Sequence, residues 1–262
     1  YKSMIDYTGA KTVSLPHRMA NDFSFDADEL ISLINDKTKL VILNSPANPT
    51  GGVVSEVELI KLAEGLLKFP KVHILSDEIY SRILFDNHKH LSPLKFKEIR
   101  DRVIVLDGWS KTYSMTGWRL GYGIYPKEIF GFAEKLAINS HSCVNSAAQF
   151  AGIEALTGDQ KPVDDMIVQF NKRRNFLVSE LNKIKNIQCK QPGGAFYVFP
   201  SIKKKNMNSI EISKYLLEKK FIATVPGSSF GKNGEGFLRV SYASTMENLE
   251  KFIVCLKDFM NE

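Results

Sequence analysis

Three short apolar runs, each ending in a polar loop, constrain this chain more than any other feature. They are Val41-Ile42-Leu43-Asn44, His73-Ile74-Leu75-Ser76-Asp77 and Val103-Ile104-Val105-Leu106-Asp107. The third is uninterrupted, as a strand buried on both faces of a parallel sheet must be. Helical spacing separates the first two. Residues 26–35 carry Leu30, Leu33 and Ile34 at helical intervals, and Ser55-Glu56-Val57-Glu58 forms a capping box. The helix that follows is expected to bury Val57, Ile60, Leu62 and Leu67. Residues 120–125 read as a further strand. Strand alternating with helix implies parallel pairing through crossovers. The fold class expected is therefore α/β, a mostly parallel sheet flanked by helices.

From about Lys161 the pattern changes. Pro162 opens a long helical stretch ending near Lys185, with Met166, Ile167, Phe170, Phe176, Leu177 and Leu181 as its apolar set. A Gln191-Pro192-Gly193-Gly194 turn follows, then a strand over residues 195–199, a helix over 209–219 and a strand over 237–242. A last helix begins at Ser244 with a second capping box, Ser244-Thr245-Met246-Glu247. This tail reads as a smaller C-terminal α+β domain. The division expected is residues 1–171 and 172–262, hinged along the long helix near Asn171.

Composition excludes more than it assigns. The chain has 262 residues, 44% hydrophobic and 24% charged, as in ordinary globular proteins. No apolar run is long enough for a membrane span. The net charge of +6 comes from scattered lysines. The densest group, Lys203-Lys204-Lys205, reads as a solvated loop rather than a nucleic-acid patch. Cys143, Cys189 and Cys255 show neither disulfide framework nor metal-ligand spacing, which points to a reducing, cytoplasmic setting.

Chemistry concentrates where the strands end, which is where α/β sheets hold ligands. After the first strand comes Asn48-Pro49-Thr50-Gly51, after the second Asp77-Glu78-Ile79-Tyr80, and after the third Ser110-Lys111. Lys111 opens Met115-Thr116-Gly117-Trp118-Arg119-Leu120-Gly121, and a C-terminal strand carries Arg239. Taken singly, each has an ordinary reading. Lys111 is a surface charge, Asp77 a turn cap, Asn48 a turn residue, and Arg239 half of an ion pair with an acid such as Glu247.

Together these blocks, in this order, resemble the class I and II aminotransferases of pyridoxal-phosphate fold type I. The likeness runs through almost the whole chain and is greatest to prokaryotic-type aspartate or broad-specificity enzymes. It implies pyridoxal 5'-phosphate bound to Lys111, with Asp77 beside the ring nitrogen. Asn48 and Tyr80 donate to the phenolic oxygen, and Arg119 and Ser110 hold the phosphate. Arg239, with Asn48, grips the substrate carboxylate. Lys111, Asp77 and Tyr80 are the catalytic set, acting on amino-acid and 2-oxo-acid substrates by ping-pong transamination in a homodimer. One position departs from a common pattern: Gly108 stands where many relatives have a serine that adds a hydroxyl to the phosphate cup. The likeness begins inside the expected protein. It implies a preceding segment that supplies a phosphate loop and a ring-stacking aromatic, without which residues 1–262 hold cofactor weakly.

Two rival functions share these residues. A carbon–sulfur β-lyase uses the same lysine, aspartate and tyrosine. A transcription regulator can carry an aminotransferase-like sensor domain behind a DNA-binding helix-turn-helix. The wording of residues 115–119 and the presence of Arg239 favour transamination over both.

Overall fold

The computed structural model describes all residues, Tyr1–Glu262. Its first half is built on a four-stranded sheet in sequential order. Strands β1 (Leu40–Asn44), β2 (His73–Asp77) and β3 (Val103–Gly108) are parallel. Strand β4 (Gly121–Ile124) runs antiparallel to β3, a correction to uniform parallel pairing. Only 12 residues separate Gly108 from Gly121, too few for the helical crossover that a parallel return needs.

One face of the sheet packs Leu43, Ile74, Val103 and Val105 against α2 (Ala27–Leu33) and α3 (Glu56–Leu66), which follow a short first helix, α1 (Lys2–Tyr7). The apolar side of α3 differs from expectation. Leu59, Leu62, Ala63 and Leu66 are buried, whereas Val57, Ile60 and Leu67 are exposed. Its capping box is also half formed. Ser55 accepts from the Glu58 amide, but the Glu58 carboxylate accepts from the Ala27 amide at 2.6 Å. Glu58 thus serves the open N-terminus of α2, where a negative charge is favoured.

A short helix, α4 (Trp109–Thr112), follows β3 directly. Helices α5 (Lys127–His141) and α6 (Ser146–Thr157) come after β4. No residue of α5 is buried, and Phe130, Phe132 and Leu136 stand in the open.

The second core gathers around α7 (Lys161–Asn182), which runs unbroken for 22 residues. Strands β5 (Ile187–Gln188) and β7 (Ser201–Ile202) pair with each other. Strand β9 (Leu238–Ser241) lies between β6 (Tyr197–Val198) and β8 (Val225–Pro226), antiparallel to both. Helices α8 (Ser209–Lys220) and α9 (Met246–Asn261) cover them, burying Ile212, Leu216, Leu249, Phe252, Leu256 and Phe259. Tyr80, Ile83 and Phe85, from just after β2, belong to this same core.

Helix α9 starts one residue later than expected. Thr245, not Ser244, caps it, and Glu247 pairs with Lys251. A complete capping box, Asn208 with Glu211, opens α8 instead. Lys204 is not merely solvated: its ammonium donates to the Phe259 carbonyl at 2.7 Å, near the negative end of α9. No helix is long and apolar enough to cross a membrane.

Candidate active site

The parallel register brings the strand ends level. Asn44 pairs with Asp77, and Asp77 with Leu106, two residues before β3 ends at Gly108 and the chain turns into α4 with Lys111. Asn44 was not expected in the site, yet it joins two of its loops. Its amide donates to the Asp77 carbonyl at 3.1 Å, and its Oδ1 accepts from the Asn48 amide at 2.8 Å. Only knowledge of the register could have singled it out.

Asp77 takes neutral donors alone. Its Oδ1 accepts from the Ile79 amide at 3.2 Å, and its Oδ2 accepts from the Tyr1 hydroxyl. Partial desolvation of its hydroxyl, reinforced by that bond to Asp77, pushes the phenol of the otherwise exposed Tyr1 above its ordinary range. Tyr1 therefore stays a donor to Asp77. The adjacent Glu78 lies in a separate cluster, with His90 at 2.7 Å. Burial opposes its ionisation, but donors from His90 and Ser92 outweigh that and hold its carboxyl below the usual range.

Tyr80 is buried, and its hydroxyl meets that of Tyr197 at 2.9 Å. Desolvation, then the bond to Tyr197, raises its phenol far above the ordinary value, so it remains protonated. Phe196 stands edge-on to Tyr80 at 5.4 Å between ring centres, and the Lys111 ammonium lies 5.8 Å from the Phe196 ring. Phe196 and Tyr197 were both missed by sequence reasoning. An aromatic pair in a strand signals core packing as readily as a site.

Arg239 forms no ion pair with Glu247. Its Nη1 donates to Asn48 Oδ1 at 2.9 Å, and its guanidinium lies 4.6 Å from the Tyr197 ring and 5.2 Å from Phe230. The side-chain Nδ2 of Asn48 remains free to donate, its backbone amide being taken by Asn44. Contacts thus run from Lys111 through Phe196, Tyr80, Tyr197, Arg239, Asn48 and Asn44 to Asp77.

Arg119 sits to one side of this group. It is exposed, in the left-handed region at φ 55°, with Nη1 donating to the Thr116 carbonyl at 3.0 Å. Thr116 in turn donates to the Ser110 carbonyl, so one folded loop carries Ser110, Lys111 and Arg119. A cleft of about 920 Å³ opens beside Arg119 between Ser114, Trp118, His141 and Cys143. It does not reach Lys111 or Asp77, so the site is defined by its side chains rather than by this cleft.

Gly108 has a steric cause. A Cβ there would stand 2.8 Å from Gly121 Cα and 2.9 Å from the Leu120 carbonyl, both backbone atoms of the antiparallel neighbour. At Gly51, φ +69° and a 2.3 Å approach to Pro192 Cβ impose the same restriction. Glycine at 51 lets the Asn48 loop and the Pro192-Gly193-Gly194 turn lie against each other, joined by a bond from the Gly194 amide to the Gly51 carbonyl at 3.0 Å.

The charges decide what could occupy this site. Lys111, Arg119 and Arg239 have no acidic partner, although sixteen other ion pairs form across the protein. Asp77 has no cationic one. Such a set suits a ligand with anionic groups at two ends and a protonated nitrogen between them.

Comparison with known proteins agrees in fold and family. A family model described as aminotransferase class I and II matches residues 1–256. The aspartate aminotransferase of Pyrococcus horikoshii is 38% identical over 242 residues, covering 92% of this chain and 61% of that protein. The aspartate aminotransferase of Pyrococcus abyssi is 35% identical over the whole chain and 67% of its own length. The chain thus spans about two thirds of the curated relatives it matches. Among solved structures, the aspartate aminotransferase of Rhizobium meliloti superposes with a TM-score of 0.93 at 31% identity, over 100% of this chain and 68% of that one.

Proposed function

Since the chain belongs to the class I and II aminotransferases and has the fold of their pyridoxal-phosphate fold type I relatives, we propose that it serves a pyridoxal-phosphate-dependent transaminase. Such an enzyme moves an amino group between an L-amino acid and a 2-oxo acid. One observation carries this reading: Lys111 and Arg239, without acidic partners, join one chain of contacts that ends at Asp77, a carboxylate that accepts only neutral donors. When bound, pyridoxal phosphate supplies an electron sink that makes the substrate's α-proton removable.

The chain's own residues have separable tasks. Lys111 would hold the cofactor and supply the base for the proton at the substrate's α-carbon. Asp77 would favour a protonated ring nitrogen by opposite charge. Tyr80, held protonated by its burial, donates to the phenolic oxygen together with Asn48. Arg119 and Ser110 hold the phosphate, for which a guanidinium fork is suited. Arg239, braced on Asn48, binds the substrate's α-carboxylate and so orients the bond to be broken. The exposed apolar side chains of α5 suit burial in a homodimer, and three free thiols suit a cytoplasmic setting.

The test is chemical labelling. Borohydride reduction of the full-length, cofactor-loaded protein, followed by peptide mapping, should fix the cofactor to Lys111. Lys111→Ala should take no label and lose transamination by many orders of magnitude while keeping its fold. Label on another lysine would overturn the assignment.

A further inference from the structure

We infer that Tyr197 is a positioning residue that couples the cofactor-binding side of the site to its carboxylate-binding side. It would do so through a hydroxyl bond to Tyr80 and a ring face beneath Arg239. This rests on the transaminase reading above and adds a residue to it.

The sheet register sets up the arrangement. Tyr197 on β6 lies opposite Ser241 on β9. Arg239, two residues before Ser241, is on the same face and is a diagonal neighbour, within reach of a large side chain. The guanidinium lies 4.6 Å from the Tyr197 ring, where a cation is attracted to the π face. The other edge of that ring carries the hydroxyl, 2.9 Å from that of Tyr80. Tyr197 and Tyr80 are both buried, so their hydroxyl contact is shielded from solvent, while Arg239 is half-buried. If Tyr80 donates to the cofactor, its oxygen is left to accept, and Tyr197 is the donor within reach. A donor that itself receives a hydrogen bond is a stronger donor. The Tyr80 hydroxyl has its hydrogen bond to Tyr197 and to no other side chain of this chain, so loss of the Tyr197 hydroxyl leaves that position unfilled.

The experiment uses the full-length, cofactor-loaded protein and follows cofactor absorbance against pH. Tyr80→Phe should move the spectral titration to higher pH. Tyr197→Phe should move it the same way by less, on the order of a few tenths of a pH unit, because it acts through Tyr80. In the double variant the Tyr197 change should add nothing further. Tyr197→Phe retains a ring under Arg239, so KM for L-aspartate or L-phenylalanine, whichever the wild type uses, should stay within about twofold. Tyr197→Leu removes the ring and should raise that KM by about 3–30-fold, with a smaller effect on kcat. A titration unmoved by Tyr197→Phe, or a shift that adds in full to that of Tyr80→Phe, overturns the inference. A wild-type protein with no cofactor band overturns both this and the transaminase reading. A normal band with an unmoved titration overturns this one alone.

Discussion

Arg174 offers the sharpest test of how the site's frame is held. It has no solvent exposure, although it lies on the long helix α7. Its Nη atoms bind both oxygens of Asp86, at 2.7 and 2.8 Å, and Nη1 also donates to the Pro192 carbonyl at 2.8 Å. Its charge rests 4.5 Å from the Phe85 ring. Around it, the Phe85 amide donates to the Gly193 carbonyl and the Ala195 amide to the Ile83 carbonyl. The pair thus fastens the turn that supports both the Asn48 and Tyr80 loops. Asp86→Ala would strand a buried guanidinium. Breaking a fully buried pair costs about 3–5 kcal/mol, and the half-exposed carboxylate argues for the lower end, about 3 kcal/mol. Arg174→Met keeps the aliphatic volume and lets Asp86 rehydrate. Its main cost is the unpaired Pro192 carbonyl, about 1–3 kcal/mol. The decisive comparison is the double variant: in the Asp86→Ala background, Arg174→Met should restore stability. Urea unfolding at fixed protein and cofactor concentration measures this, since both contribute to apparent stability. A double variant less stable than Asp86→Ala alone would refute the reasoning. pH gives a second check. Bonds from Arg174 hold the Asp86 carboxyl below its ordinary value. Its stabilisation is therefore present above an unfolded pKa of about 4 and is lost as pH falls through the lower folded value. Arg174→Met should lack that acid-dependent loss.

Other outcomes follow from single contacts. Asp77→Ala should lower kcat by about 10²–10⁴ with a smaller change in substrate affinity; an unaltered kcat in steady-state assays would reduce Asp77 to a turn cap. Arg239→Lys should raise KM for amino acid and oxo acid alike while leaving the cofactor spectrum unchanged, because lysine keeps charge but loses the fork. Selective loss of cofactor on dialysis would move Arg239 to the phosphate instead. Gly108→Ser would add a hydroxyl three residues before Lys111 but force a side chain against the backbone of residues 120 and 121. It should cost about 1–3 kcal/mol in thermal unfolding and fail to tighten cofactor retention. Tighter retention with an undiminished Tm would show that β4 yields easily.

What was legible in the chain is what local pattern encodes. The three parallel strands could be read because β-prone runs end in Asn, Asp and Gly. Asn48, Asp77, Tyr80 and Lys111 stand out as candidates because they lie at or just beyond strand ends. The buried side of α3 could not. That helix is apolar on both sides, so spacing identifies its hydrophobic residues without saying which face meets the sheet. Val57 and Ile60 are expected inside and lie outside, whereas Leu59 and Leu66, which the spacing does not single out, are buried. The direction of β4 depends on the length of the loop before it, a constraint that hydrophobic pattern does not carry. Glu58 was read as a local cap and serves a helix 31 residues away.

The contacts that assemble the site are the least local of all. Asn44 reaches Asp77 across 33 residues, Tyr80 meets Tyr197 across 117, and Asn48 meets Arg239 across 191. A motif marks a residue whose chemistry is useful, but its partner is chosen by register and packing. Arg174 shows the limit most clearly. In the sequence it is one of two adjacent arginines on a helix, and such residues are usually solvated. Only the fold shows that Arg174 faces the core, where Asp86 and the Pro192 carbonyl together compensate its desolvation. Its removal should therefore be felt in the two loops that Asn48 and Tyr80 occupy, although it touches neither residue.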